Sequence, residues 1–374
     1  MNPEFRRKHV TETKRALQIV ATGLVVVAGS FISRAARAQS LEVQSAPLTA
    51  KERHAVVGEI VTKLNAMYIF PALARTAGDS VRHREEEGAY NQLTTIEAFA
   101  NALTRDLQGV THDKHVRVRY SELPVEEPDH NGDPSAEEMK LVLKSRQEIN
   151  FGVQTVERSS TNIGYIDFRM FAEAEFSREV MTAAMTLIAH TDALIIDLRH
   201  NVGGDPATVA YVCSYLFDQR THLNDLKVRD KPTEEFWTSP TVPGPRFGST
   251  KPVFILTSNA TFSGAEEFAY DLKELKRVTI VGETTRGGAN PGEDHRVAEH
   301  LTLFIPNARS VNPYSGTNWE GIGVVPNVKV SADKAQRTAE EMILKQLING
   351  GTNGNLLDER RKRLGDIEAT PYPD

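Results

Sequence analysis

The sequence feature that most constrains the fold is a strand-to-helix turn. Residues 253–256 (VFIL) form a short apolar run that predicts a buried strand, and residues 265–276 carry apolar side chains at the spacing of one helix face. Ser263 and Gly264 lie between them. This order puts a serine hydroxyl beside the first N–H groups of a helix, which can hold a developing oxyanion. Ser263 and Glu266 also fit a capping box, and helix caps far outnumber nucleophiles.

The same alternation of strands and helices runs through the larger part of the chain. Strand patterns occur at residues 164–168, 193–198, 253–256, 278–281 and 300–305, and helical patterns occur at residues 173–190, 207–217 and 265–276. Apolar strands that alternate with helices predict a layered α/β core. We assign this α/β domain to residues 145–335.

Shorter segments flank this core. Capping boxes at Thr49 and Thr94 open two helical patterns, and an alternating strand at 116–120 follows, so residues 49–120 predict a helical subdomain that ends in a strand. Residues 121–144 begin with an acidic, proline-broken stretch and predict a hinge or surface loop. Residues 336–374 complete an amphipathic helix and end in a tail predicted to be loose.

The amino terminus has the pattern of a secretory signal. Basic residues precede an apolar run at residues 16–32, and an A-x-A site ends at Ala38. Residues 1–38 therefore predict a signal peptide cleaved before Gln39, followed by a linker at residues 39–48. The expected location is periplasmic or extracellular. An uncleaved membrane anchor is the alternative, because the run is near the lower length limit for a span.

Charge and cysteine content exclude several classes of protein. The 374-residue chain has a formal net charge of −6, and without residues 1–38 that charge becomes −11. An acidic chain with no basic block is a poor nucleic-acid binder. The single cysteine, Cys213, excludes an internal disulfide framework and a Cys-based metal site, and its apolar neighbours predict a buried structural thiol.

A second informative turn follows the strand at residues 193–198. Gly203 and Gly204 allow backbone conformations that other residues avoid, and they let another group approach their N–H groups closely. Such N–H groups could supply the second donor of an oxyanion hole. The alternative is a tight loop in which Asp205 is the N-cap and Pro206 the first residue of a helix.

Four motifs in order resemble the tail-specific (C-terminal-processing) serine peptidases. They occupy residues 197–204 (DLRHNVGG), 261–268 (TFSGAEEF), 281–288 (VGETTRGG) and 320–327 (EGIGVVPN). The chain is most similar to the branch that contains the tricorn protease core and interphotoreceptor retinoid-binding protein. The resemblance implies a ClpP/crotonase-like layered core with an N-terminal helical subdomain. It also implies hydrolysis of a peptide or protein substrate through an acyl-enzyme at Ser263, with no metal or cofactor.

The resemblance also suggests the base. Processing members of the family carry a lysine at the position of Gly288, so a Ser–Lys dyad is absent and the histidine-using branch is favoured. In that branch His115 of a D-x-H-like motif would be the general base, and Glu320 would orient it. Lys114 stands where the tricorn-like pattern often has a serine. His112 is the nearest competitor for the role of base.

The implied oxyanion donors are the backbone N–H groups of Gly203, Gly204 and Gly264. A different function remains open, because the retinoid-binding-like relatives carry hydrophobic ligands. The chain could therefore be a binding module for a retinoid- or lipid-like molecule, with a degenerate active site. An acyl-CoA enzyme on the related crotonase fold fits the serine turn poorly. The sequence does not distinguish an endopeptidase from an exopeptidase.

Overall fold

A computed structural model describes residues 48–125, 136–351 and 354–370 of the chain. The predicted signal peptide, its cleavage site and nearly all of the predicted linker lie outside these residues. Within the described residues, no helix is both long and apolar enough to cross a membrane.

The helices and strands are as follows in chain order: α1 (Ala50–Met67), α2 (Pro71–Glu86), α3 (Ile96–Thr111), β1 (Arg117–Tyr120), α4 (Ala136–Glu148), β2 (Val153–Arg158), β3 (Ile163–Phe168), α5 (Ala174–Ile188), β4 (Ala193–Asp197), α6 (Pro206–Cys213), β5 (His222–Val228), β6 (Glu234–Trp237), β7 (Val253–Thr257), α7 (Gly264–Glu274), β8 (Thr279–Gly282), β9 (Gly292–Ala298), β10 (Leu301–Pro306), β11 (Ala308–Val311), β12 (Val328–Lys329), α8 (Ala332–Asn349) and α9 (Asn355–Ala369). A short 3-10 turn, Asn150–Gly152, follows α4.

The chain divides into two compact units. Among the described residues, the first unit contains 48–125, 136–145, 227–232 and 290–309. The second unit contains the remaining described residues, from Arg146 onward. The chain therefore leaves the second unit twice and returns to it.

The first unit packs three helices against a small antiparallel sheet. Its strand order is β1-β10-β9, and Val118 of β1 lies opposite Leu303 of β10. Helices α1 to α3 bury their apolar faces in one cluster with this sheet, which includes Leu64, Leu103 and Ile305. The predicted capping box at Thr49 is present, because Glu52 N–H donates to the Thr49 hydroxyl at 3.3 Å.

The second unit is built on a six-stranded sheet of order β12-β8-β7-β4-β3-β2. The strands from β12 to β3 pair in parallel, and β2 pairs antiparallel to β3 at the edge. Every residue of β4 and β7 is buried, as expected for parallel strands that are covered on both faces. Because these strands are parallel, the loops that follow β4, β7 and β8 all leave from the same edge of the sheet.

Alternate side chains of the central strands enter two different cores. Ile196 and Ile255 belong to the larger cluster, together with apolar residues of α5, α6 and α7. Ile195 and Phe254 belong to a second cluster with residues of α8 and α9. Helices on both faces of a mostly parallel sheet give a layered α/β fold.

The structure corrects three sequence-based boundaries. The hinge predicted at 121–144 is not all loop, since α4 begins at Ala136. The tail predicted to be loose forms α9, where Ile367 is buried and Arg360 donates to the backbone oxygen of Thr161 at 3.1 Å. The domain predicted at 145–335 is interrupted, because β9 and β10 belong to the first unit. Pairing with β1 explains this last difference, since strand pairing over long sequence separation leaves no local signal.

Candidate active site

Ser263 occupies a strained turn at the amino end of α7. Its backbone has φ 56° and ψ −124°, a left-handed conformation that is uncommon for a residue with a side chain. Such conformations persist where the surrounding structure holds them, and they cluster at functional sites. The Ser263 N–H donates to the Glu266 carboxylate at 2.9 Å, which is one half of the predicted capping box. The serine therefore lies where both the cap and the nucleophile hypotheses expect it.

The Gly203–Gly204 turn packs directly against the serine turn. Gly203 has φ 103°, and a Cβ added to it would lie 2.7 Å from both Ser263 Cβ and Gly264 N. Gly204 has φ 139°, and its added Cβ would lie 1.9 Å from the backbone oxygen of Phe171. Both positions therefore require glycine for space as well as for backbone conformation. The alternative of a simple helix start is also present, since Asp205 is the N-cap of α6 and accepts from Ala207 N–H at 2.9 Å.

The three predicted oxyanion donors differ in their hydrogen bonding. The Gly203 N–H donates to Asn201 Oδ1 at 2.8 Å and is therefore already occupied. Among the residues that the structure describes, the N–H groups of Gly204 and Gly264 donate to no protein acceptor. The geometry thus favours Gly204 and Gly264 over Gly203 as donors to a bound oxyanion.

Hydrogen bonds join the loops that follow β4 and β7. The Thr261 hydroxyl donates to the backbone oxygen of Leu198 at 2.7 Å, and Phe262 N–H donates to that of Asn201 at 3.1 Å. Ser258 Oγ also donates to the backbone oxygen of Arg199. These bonds fix the glycine turn and the serine turn to each other.

Glu266 has contacts that the sequence pattern did not predict. It is fully buried, and its Oε1 accepts from Thr285 Oγ1 at 2.5 Å and from Gly287 N–H at 2.6 Å. Its Oε2 accepts from the N–H groups of Ser263 and Gly288, each at 2.9 Å. Burial raises the pKa of this carboxyl above its ordinary value, while the four donors act in the opposite direction.

Glu320 lies in the same unit as Ser263, next to the segment that contacts Glu266. Its Oε2 accepts from Ala289 N–H at 2.5 Å, and its own N–H donates to Asn318 Oδ1 at 3.0 Å. The neighbouring Trp319 donates its indole N–H to the backbone oxygen of Gly288 at 2.7 Å. The half-buried Glu320 carboxylate is therefore held in place by a hydrogen bond from a backbone N–H group.

His115 belongs to the first unit and is buried there beside a carboxylate. Its backbone N–H donates to Asp113 Oδ1 at 2.9 Å, and its Nδ1 lies 3.9 Å from the same oxygen. The imidazole stacks on Phe304 with 5.8 Å between ring centroids. The other Asp113 oxygen accepts from Tyr68 Oη at 3.2 Å and Asn290 Nδ2 at 2.9 Å.

The competing histidine has a different environment. His112 is exposed at the end of α3, with φ 54°, and its backbone N–H donates to the oxygen of Gln108. It therefore serves as a helix C-cap.

Burial raises the pKa of Asp113, and the hydrogen bonds that this carboxylate accepts partly offset the rise. In the sequence Asp113 stands out only as part of the D-x-H-like motif, two residues before the candidate base.

Cys213 matches its predicted structural role. It is a free, buried cysteine, and burial raises the pKa of its thiol well above the ordinary value. A thiol held in its neutral form is a poor nucleophile.

Comparison with protein families identifies the larger domain. Residues 162–330 match the family model described as peptidase family S41. The chain carries a peptidase family S41 domain. Residues 41–157 match a second model, described as the N-terminal domain of peptidase S41 in eukaryotic IRBP. The S41 domain thus contains the Ser263 turn and Glu320, and the N-terminal match contains His115. The predicted relationship to the tail-specific peptidases, including the retinoid-binding-like branch, is confirmed.

Individual relatives of the S41 domain are distant in sequence. The chain is 24% identical over 226 residues to carboxyl-terminal-processing peptidase 2, chloroplastic, of Arabidopsis thaliana, a match that covers 52% of this chain and 40% of that protein. The chain therefore spans less than half the length of this relative.

Two solved structures share the fold. A putative peptidase from Parabacteroides merdae has a TM-score of 0.54 at 17% identity, with 80% of this chain and 98% of that chain covered. A lipoprotein from Streptococcus agalactiae has a TM-score of 0.51 at 13% identity, with 82% and 100% covered. The predicted fold class, an α/β core with an N-terminal helical subdomain, is confirmed.

Proposed function

We propose that this chain is a serine peptidase that hydrolyses peptide bonds through an acyl-enzyme on Ser263. The observation that carries the proposal is the serine turn itself. Ser263 is held at positive φ at a helix start, and the N–H groups of Gly204 and Gly264 beside it have no acceptor within the described part of the chain. A helix cap alone does not require a second glycine turn packed against the serine.

In the proposed reaction Ser263 Oγ attacks the carbonyl carbon of the scissile bond, and His115 takes the hydroxyl proton. The N–H groups of Gly204 and Gly264 would donate to the oxyanion of the tetrahedral intermediate. When the C–N bond breaks, His115 returns the proton to the leaving amine. Water then attacks the acyl-enzyme by the same route, which releases the second product and restores Ser263. Glu320 would hold the imidazole in its productive tautomer.

The assignment of the base rests on the environment of the two histidines. His115 is buried beside the carboxylate of Asp113, whereas His112 is an exposed helix cap. His115 and Ser263 belong to different compact units, so the pairing is best tested in the full chain with functional assays.

We expect His115→Ala to lower kcat by roughly a thousandfold or more, because Ser263 would lose its proton acceptor. His112→Ala is the matched control and should change kcat less than about threefold. The measurement is hydrolysis of a fluorogenic peptide library, together with the rate at which a fluorophosphonate labels Ser263. If His112→Ala were the inactive variant, the assignment of the base would be wrong.

Binding of a hydrophobic ligand is the second candidate function. The match of residues 41–157 to the N-terminal domain found in IRBP favours it. Co-purified lipid, with no turnover of the peptide library and no labelling of Ser263, would support this function against the peptidase.

We further propose that the enzyme acts after export. Amino-terminal sequencing of the mature protein tests this, with Gln39 as the expected first residue.

A further inference from the structure

Glu266 accepts more hydrogen bonds than a capping box requires. In a capping box the acidic side chain accepts only from the backbone N–H of the capping residue, here Ser263. The other three donors to Glu266 come from Thr285, Gly287 and Gly288, in the loop after β8. The carboxylate therefore joins the serine turn to a separate segment of the second unit, and each of its oxygens accepts two hydrogen bonds.

This segment continues directly to Glu320. Gly288, whose N–H donates to Glu266, accepts from the indole N–H of Trp319 through its backbone oxygen. The next residue, Ala289, donates its N–H to Glu320. A continuous path of hydrogen bonds and covalent bonds thus runs from Ser263 through Glu266 and Gly288 to Glu320, and all of its members lie in one unit.

We propose that Glu266 is a positioning residue for the hydrolysis. Its carboxylate fixes the strained backbone of Ser263 and holds Ser263 and Glu320 in one arrangement. This inference rests on the peptidase function proposed above. An ionised carboxylate suits the role because only an acceptor with four lone-pair sites can satisfy four converging donors. The bonds are also charge-assisted and buried, where such bonds are strongest.

A glutamine in place of Glu266 would reverse the polarity of one of its two acceptor atoms. Its amide nitrogen would face two donors instead of accepting from them. The turn that Ser263 forms would then relax from φ 56°. A displacement of about 1 Å at a reacting group lowers the rate by roughly a hundredfold.

The test uses the full chain and compares Glu266→Gln with Glu283→Gln. Glu283 is the matched control, because its carboxylate also accepts two backbone N–H groups, from Asn259 and Ala332, but does not contact Ser263. We expect Glu266→Gln to lower kcat roughly a hundredfold while KM changes less than about threefold. Glu283→Gln should keep wild-type kcat even if its melting temperature falls.

A second pair of variants keeps the test decisive if Glu266→Gln fails to fold. Thr285→Val removes one donor to Glu266, and Thr285→Ser retains the hydroxyl. We expect Thr285→Val to lower kcat about tenfold, whereas Thr285→Ser should keep at least about half of the wild-type kcat. A merely structural role would not separate these two variants in kcat at equal folded fractions.

The outcomes distinguish the two proposals. If wild-type protein hydrolyses peptides, Ser263→Ala does not, and both Glu266→Gln and Thr285→Val keep wild-type kcat, the positioning role is overturned and the peptidase function stands. Loss of activity that only tracks the unfolded fraction also overturns the positioning role. If the wild-type protein and Ser263→Ala are equally inactive, the peptidase function and the inference that rests on it both fail.

Discussion

Replacement of Ser263 by alanine is expected to lower kcat/KM for peptide hydrolysis by roughly 10⁴- to 10⁶-fold. Removal of the nucleophile in a serine peptidase leaves only the small acceleration that substrate binding and oxyanion donors provide. The variant keeps Gly204, Gly264 and the contacts of the Glu266 carboxylate, since the bond from residue 263 to that carboxylate comes from the backbone N–H. It should therefore fold and bind substrate, with little change in KM or melting temperature.

Ser160→Ala provides the control for this experiment. Ser160 is an exposed serine between β2 and β3, and it should be replaceable without effect on activity or stability. Steady-state hydrolysis and fluorophosphonate labelling should be measured for wild-type protein and both variants. Hydrolysis by Ser263→Ala at the wild-type rate would rule out the acyl-enzyme at this residue.

Glu267→Gln is expected to raise the stability of the second unit at high pH. Glu267 and Asp271 lie one turn apart on α7, and both are buried. Burial raises the pKa of Glu267 to about 8, opposed by a hydrogen bond from Asn224 and reinforced by the charge of Asp205. Burial and the neighbouring Glu267 charge raise the pKa of Asp271 well above its ordinary value.

The direction of the pH effect follows from these raised pKa values. Between pH 4.5 and about 8 the folded unit retains a proton on Glu267 that the unfolded chain has lost. The stability contributed by this proton is complete below pH 4.5 and is lost as the pH rises to about 8. Because a tenfold change in proton affinity corresponds to about 1.4 kcal/mol, the loss is on the order of 5 kcal/mol. A glutamine cannot ionise, so its variant should lose much less stability over this range.

Tryptophan fluorescence is suited to this measurement. The chain contains two tryptophans, Trp237 and Trp319, and both belong to the second unit. Urea titrations at pH 5, 7 and 9 should show the advantage of Glu267→Gln over wild-type protein growing with pH. Glu175→Gln, at an exposed site on α5, should follow the wild-type curve. A constant difference between Glu267→Gln and wild type at all three pH values would contradict the prediction.

Local sequence patterns predicted the elements that carry the serine turn. The strands β4 and β7 and the helix α7 have strong apolar periodicity, and glycine and proline mark the turn before α6. The sequence alone therefore indicates Ser263, Gly204 and Gly264 as candidate site residues. Helix α9 escaped prediction because few of its residues are apolar, and its burial depends on Arg360 and Ile367 contacting distant segments.

Other features depend on contacts between residues far apart in sequence. The occupied N–H of Gly203 depends on the side chain of Asn201, and the three additional donors to Glu266 come from residues about twenty positions later. A capping-box pattern contains only the local part of this information. Non-local hydrogen bonds become visible only when the loops after β7 and β8 are brought to the same edge of the sheet.

The interrupted path of the chain limits how this protein can be dissected genetically. The small sheet of the first unit takes β1 from the front of the chain and β9 and β10 from residues nearly two hundred positions later. A gene fragment that ends after residue 125 would contain α1, α2, α3 and β1 but neither β9 nor β10, and the apolar surface that packs against Leu303 and Ile305 would be left uncovered. The complementary fragment would contain β9 and β10 without β1, the third strand of their sheet. Neither fragment is a complete folding unit, so the small sheet of the first unit needs both chain segments together.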